Sequence, residues 1–121
     1  MNFNKSLLKS FGYALEGIWH ALRNNRNLRI DFYFVLLVSL LGFYFKITSL
    51  EIIVLVVTVV LVISSEMINT SLEEMVDLIT REHKKEAKIA KDVAAGMVLV
   101  SAIGSVIIGF LVFLPYISRL L

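Results

Sequence analysis

Apolar residues recur over the first 24 positions at Phe3, Leu7, Leu8, Phe11, Leu15, Ile18, Trp19 and Leu22. Steps of three, four and one mark one face of an amphipathic helix. Asn4, Lys5, Lys9, Ser10 and Glu16 occupy the opposite face. With Trp19 and basic residues beside it, helix 1–24 is expected on a membrane surface. The pattern breaks at Arg23–Asp31, which is expected to form a turn or bend.

Beyond that break the chain becomes apolar in three long blocks. Ile30–Leu50 holds only Asp31 and Lys46 as charges, both near its ends. The stretch from Ile52 through Ser65 is uncharged, and Val93–Leu114 is 22 residues without a charge. About 20 helical residues, each rising about 1.5 Å, cross the hydrocarbon core of a bilayer. The expected fold is an all-α membrane protein, a single domain over 1–121. It has the surface helix and three transmembrane helices at 30–50, 50–79 and 91–118. Thr48 and Glu51 have capping-box spacing, so the link between the first two crossings should be short. The polar link Thr80–Ala90 is long enough for a mobile loop.

The third crossing carries Ala94, Ala95, Gly96, Ser101, Ala102, Gly104, Ser105 and Gly109, small residues that let membrane helices approach closely. Three helices enclose little space, so a closed homo-oligomer is expected. Hydrophobic residues make up 58% of the chain, above the usual share for a soluble domain. The absence of cysteine excludes thiol catalysis and iron–sulfur chemistry, and no signal peptide is visible. A net charge of +2 is too small to argue for nucleic acid.

The placement of charge says more than its sum. Lys5, Lys9, Arg23, Arg26 and Arg29 precede the first crossing, and Arg81, Lys84, Lys85, Lys88 and Lys91 join the second to the third. Ten of the twelve basic residues thus share one side, and only Lys46 and Arg119 lie on the other. The positive-inside rule makes the first side cytoplasmic, with the N-terminus inside and the C-terminus external.

On that cytoplasmic side Glu66, Asn69, Glu73 and Asp77 follow one another at intervals of three, four and four. At about 100° per residue they fall within a helical stripe roughly 80° wide. A carboxylate near the centre of a bilayer costs roughly 2.5 kcal/mol or more, so such residues are functional candidates. Capping and solvation of an emerging helix accounts for Glu74 and Asp77, but not for Glu66, which has Met67 and Ile68 beyond it. His20 and His83 lack partner spacing and read as surface residues, and no G-x-x-x-x-G-K-[ST] or G-x-G-x-x-G occurs. A proton-coupled transporter needs a buried acid and a substrate cavity spanning the bilayer, and a channel needs polar residues along its full length. Here the acids cluster at the cytoplasmic end and the external halves are apolar.

Phosphoryl transfer at the inner surface fits the residue types better. It needs carboxylates for a divalent ion, a cation beside the transferred phosphate, and an acceptor for the hydroxyl proton. Glu73 can hold Mg²⁺, Asn69 can orient an oxygen, Lys91 can contact phosphate, and the deepest acid, Glu66, is the general-base candidate. A small proton-coupled transporter or accessory membrane subunit working through Glu66 is the alternative.

The run E-x-x-N-x-x-x-E-x-x-x-D over Glu66–Asp77, with Ala90-Lys91-Asp92 after it, resembles the prokaryotic diacylglycerol kinase family, which includes the undecaprenol kinases. The likeness extends from Gly12-Tyr13 and Gly17 through KDVAAGMVLVSAIG. The AAG and the late FLP are more similar to the undecaprenol-kinase branch. The resemblance implies a homotrimer with active sites shared between neighbouring chains. It implies γ-phosphoryl transfer from Mg-ATP to a membrane lipid alcohol, undecaprenol before diacylglycerol. By position, Glu66 matches the general base and, with Asn69, the lipid end of the site. Glu73 matches a metal ligand. Asn69, Asp77, Lys91, Asp92 and Tyr13 match the ATP and phosphate contacts. The family usually has glutamate where this chain has Asn25, so the second metal position falls on a neutral amide, a weaker ligand for a hard cation.

Overall fold

A computed structural model describes residues 3–121; residues 1 and 2 of the expected first helix lie outside the described residues. Four helices follow in order: α1 (Phe3–Asn24), α2 (Arg26–Phe45), α3 (Ser49–Ile79) and α4 (Lys85–Leu120). The last three are long and apolar enough to cross a membrane.

The bend expected over Arg23–Asp31 is a single residue. Asn25 is the only non-helical position between α1 and α2, with extended backbone at φ −115° and ψ 106°. Its side chain accepts from the backbone N–H of Leu28 and so caps α2. An asparagine N-cap supplies one of the hydrogen bonds that the first turn of a helix cannot make internally. The other half of the junction is closed by Arg29, whose guanidinium donates to the carbonyls of Leu22 at 2.9 Å and Arg23 at 2.7 Å. Those carbonyls belong to the last turn of α1, where helical partners run out. Ala21 and Leu28 pack into the interior of the junction, and Leu28 is fully buried. The first crossing therefore begins at Arg26, earlier than its apolar run.

At the opposite end of α2, Lys46 adopts the left-handed conformation at φ 53°. Its N–H returns to the carbonyls of Gly42 and Phe43, and the N–H of Ile47 also reaches the Gly42 carbonyl. Gly42 gives the turn room: a Cβ on it would stand 3.0 Å from Cδ1 of Ile47, whose side chain would have to shift by a few tenths of an ångström. The capping box then opens α3. Thr48 accepts from the N–H of Glu51 at 3.2 Å, and the Glu51 carboxylate accepts from the N–H of Thr48 at 3.0 Å. Glu51 also accepts from the hydroxyl of Tyr116, which ties the start of α3 to the end of α4.

The packed core lies near this end. Leu55, Val112 and Phe113 are buried, and Val38, Leu41, Phe45, Ile47 and Ile108 close around them. Midway along the bundle, the buried hydroxyl of Ser65 meets that of Ser101 at 2.9 Å, joining α3 to α4. Small side chains permit this approach, as expected for helices that pack in lipid. Most other large apolar residues of the three long helices face outward.

The link between α3 and α4 is shorter than the expected Thr80–Ala90 loop. Only residues 80–84 lie outside helices, and α4 begins at Lys85. The segment Lys85–Ala90, KEAKIA, consists almost entirely of strong helix formers, and polarity alone does not stop a helix. Thr80 ends α3 with extended backbone, and its hydroxyl accepts from the N–H of Glu82.

Loss of the N-cap in Thr48→Ala removes the side-chain acceptor for Glu51. The expected cost is about 1 kcal/mol, read as a lowered thermal midpoint of the detergent-solubilised protein, with activity unchanged because Thr48 is far from the acidic stripe.

Candidate active site

The stripe on α3 is graded in depth. Glu66 is 3% exposed, Asn69 and Thr70 are half-buried, and Glu73 and Asp77 are exposed. Eleven helical positions separate Glu66 from Asp77, about 16 Å along the axis. One end of the stripe is therefore dry and the other wet.

The α1–α2 junction lies across the dry end. The side-chain amide of Asn25 donates to Oε2 of Glu66 at 3.0 Å and to the hydroxyl of Thr70 at 2.8 Å. Thr70 in turn donates to the backbone carbonyl of Glu66 at 3.0 Å. Toward the exposed end, the amide of Asn69 donates to Oε1 of Glu73 at 3.3 Å. The Oδ1 atom of Asn69 is buried and has no hydrogen-bond partner among the described residues. Together Asn25, Glu66, Asn69, Thr70 and Glu73 line a polar cleft of about 260 Å³, completed by Asn24, Arg26, Asn27 and Glu74.

A larger cavity of about 610 Å³ lies between α2 and α3, lined mainly by apolar residues from Val35 to Val60, with Ser39 and Lys46 as its polar members. Its lining holds none of the acids of the stripe. The small cleft gathers the acids and amides of the stripe.

Beyond Glu73 the remaining candidates Asp77, Lys91 and Asp92 are each held in an ion pair. Nζ of Lys91 is 2.6 Å from Oδ1 of Asp77, which connects α4 to the last turns of α3. Lys88 meets Asp92 at 2.6 Å along one face of α4. Asp77 is one turn beyond Glu73, about 6 Å along the helix, so Lys91 reaches the region next to the cleft without lining it. Asp92 also stands outside the lining, and Tyr13 is exposed on α1 away from it. Thus Asn25, Glu66, Asn69 and Glu73 share one cavity, Asp77 and Lys91 share an ion pair beside it, and Asp92 and Tyr13 stand apart.

Sequence reasoning passes over Thr70. It lies four residues after Glu66 and so one turn along the same face, a spacing that a search restricted to carboxylates and amides does not register. The backbone acceptor also hides it, since hydroxyls in helices commonly bond four residues back. His20 of α1 comes within 3.9 Å of Glu74, an exposed contact that holds α1 over the stripe.

A family model described as prokaryotic diacylglycerol kinase matches residues 12–113. An undecaprenol kinase of Bacillus subtilis is 41% identical over 107 residues, covering 88% of this chain and 87% of its own. A diacylglycerol kinase of Synechocystis is 40% identical over 111 residues, 91% of this chain; the match spans only 63% of that longer relative. A diacylglycerol kinase of Haemophilus influenzae is 30% identical over 95 residues, 78% of this chain and 80% of its own. A match over most of the length that includes the whole acidic stripe leaves one conclusion: the chain belongs to the prokaryotic diacylglycerol kinase family.

Proposed function

We propose that this multi-pass membrane protein is an ATP-dependent lipid kinase that moves the γ-phosphoryl of Mg-ATP onto the hydroxyl of a membrane lipid. The observation that carries the reading is the depth grading of one polar stripe: a buried carboxylate at one end and exposed carboxylates, with Lys91 of α4 beside them, at the other. A lipid hydroxyl arrives from the bilayer and ATP from water, and a site that joins them must span both environments. The family relatives named as undecaprenol and diacylglycerol kinases support the same reaction class. Undecaprenol is the favoured acceptor and diacylglycerol the next, because the B. subtilis relative matches along nearly its full length.

Glu66 is the general base. It takes the proton of the lipid hydroxyl as the oxygen attacks the γ-phosphorus, and ADP leaves with the electron pair of the broken P–O bond. Burial keeps water, the competing nucleophile, away from this oxygen. Lys91 steers the phosphate chain after exchanging Asp77 for it beside the cleft. The nucleotide role that the resemblance gives Asp92 and Tyr13 has no support from their positions, since both stand apart from the cleft. The basic segment Arg81–Lys91 adds attraction for a polyphosphate.

The residues present suit a magnesium ion. Mg²⁺ prefers oxygen ligands and is commonly held by one or two carboxylates together with substrate phosphates. Glu73 offers the carboxylate, and the unpartnered Oδ1 of Asn69 offers a second hard oxygen within the same cleft. When bound, the ion would neutralise charge on the phosphate oxygens.

The proposed assembly is a homotrimer with shared sites, in which the outward apolar faces of α2–α4 meet neighbouring copies or lipid. The basic residues on either side of α2 and α3 favour a cytoplasmic N-terminus and site and an external C-terminus. Helix α1, with Leu8, Phe11, Leu15 and Trp19 exposed, would lie on the inner leaflet.

Purified protein given γ-labelled ATP and undecaprenol or diacylglycerol in mixed micelles is expected to label the lipid, undecaprenol faster. No label in either lipid would remove the kinase reading and favour a proton-coupled role for Glu66. Glu66→Gln should lower kcat by roughly 10²–10⁴-fold, the range for loss of a general base. Glu73→Gln should match the effect of chelating Mg²⁺ and leave the oligomer intact by size-exclusion chromatography. A Glu73→Gln protein that loses assembly but keeps its specific activity would make that carboxylate structural.

A further inference from the structure

The resemblance assigns position 25 to the metal, but the hydrogen bonds around it describe a different task. The direction of each bond is determined. The backbone N–H of Leu28 can only donate, so the atom of Asn25 that meets it at 3.2 Å is the oxygen, and the nitrogen faces α3. The Thr70 hydroxyl spends its proton on the Glu66 carbonyl, so toward Asn25 it can only accept. The remaining amide proton points to Oε2 of Glu66. An amide N–H has no acceptor to offer, so Oε2 must present a lone pair. A proton held by Glu66 therefore belongs on Oε1.

Two further features make this donor important. Glu66 is 3% exposed, and a buried carboxylate needs a donor in place of water. A second acid of this end, Asp31, has its Oδ2 buried without a partner among the described residues, so nothing there relieves Glu66 of its need for a donor. Asn25 is the donor that the structure supplies to the Glu66 carboxylate, and it does so from the one-residue break between α1 and α2. Its oxygen is already committed to the helix cap.

We infer that Asn25 is a positioning residue for the base: by capping α2 and donating to Oε2 of Glu66 it fixes the carboxylate so that Oε1 receives the proton of the acceptor hydroxyl. The role rests on the kinase reading proposed above. In the transfer step the lipid O–H bond breaks and its proton passes to Oε1, a new P–O bond forms to the lipid oxygen, and the bond between the γ-phosphorus and ADP breaks with its electrons going to ADP. Thr70 holds the second amide proton and keeps the Asn25 plane from turning.

Asn25→Ser separates the two duties, because serine caps a helix about as well as asparagine but carries no amide donor. A lost hydrogen bond to a charged group predicts a fall in kcat of about tenfold or more. KM for Mg-ATP and for lipid should stay near wild type, while the thermal midpoint falls because buried Glu66 loses its donor. Mn²⁺ binding in the presence of ATP, followed by electron paramagnetic resonance, should also be unchanged. Thr70→Val should lower kcat in the same direction by a smaller factor. An Asn25→Ser protein with wild-type kcat overturns the inference while leaving the kinase reading intact. A parallel loss of Mn²⁺ affinity also overturns it, in favour of Asn25 as a metal ligand. If the wild-type protein transfers no phosphate, the kinase reading fails separately and the contact is decided without activity. In protein labelled with ¹⁵N-asparagine, the side-chain amide signal that vanishes in Asn25→Ser should shift in Glu66→Ala; a signal that does not move overturns the inference.

Discussion

A carboxylate in the interior of a lipid-facing helix is tolerated only where something replaces the water it has lost, and Glu66 takes its replacement from Asn25. Much of the architecture at this end follows from that requirement. Here the amide comes from the one-residue break between α1 and α2, where a capping asparagine turns its oxygen to its own helix and leaves its nitrogen for the neighbour. Arg29 then satisfies the carbonyls that the break exposes on α1. The cost of burying one acid is thus spread over a junction that also fixes where α1 lies.

From this anchor the stripe on α3 runs outward in order of increasing exposure. Asn69 donates to Glu73 one turn further out, and the Asp77–Lys91 pair brings α4 to the open end. The far end of the bundle has no comparable polar content. There the apolar cluster around Leu55 and Phe113 and the Tyr116–Glu51 contact hold α3 and α4 together, and the capping box closes the start of α3. The division suits the proposed kinase. The packed end keeps the helices in place, and the other end can keep polar groups that stability alone would not favour.

The parts legible in the sequence are those with a strong period or a fixed chemical signature. Uninterrupted apolar runs announce α2, α3 and α4, and the Thr48–Glu51 spacing announces a cap that forms as expected. The Glu66–Asp77 spacing places the acids on one face, and three of its four residues line the cleft. Helix boundaries were less readable. Polar residues over Arg26–Arg29 and Lys85–Ala90 suggest bend and loop, yet both segments are helical because nothing in them breaks a helix. The contact between Asn25 and Glu66 joins residues 41 positions apart, and spacing carries no information about such a pair. Thr70 was hidden for a related reason, since its role depends on the direction of two hydrogen bonds rather than on its residue type.

The central claim is that one end of a membrane helix pair joins a lipid hydroxyl to ATP from the cytoplasmic side. Sealed vesicles of defined orientation test it most directly. Inside-out vesicles containing the protein, supplied with external γ-labelled ATP and Mg²⁺, should phosphorylate their own lipid, and sealed right-side-out vesicles should do so only after permeabilisation. Equal labelling in both intact preparations, or labelling confined to the right-side-out ones, would contradict the account.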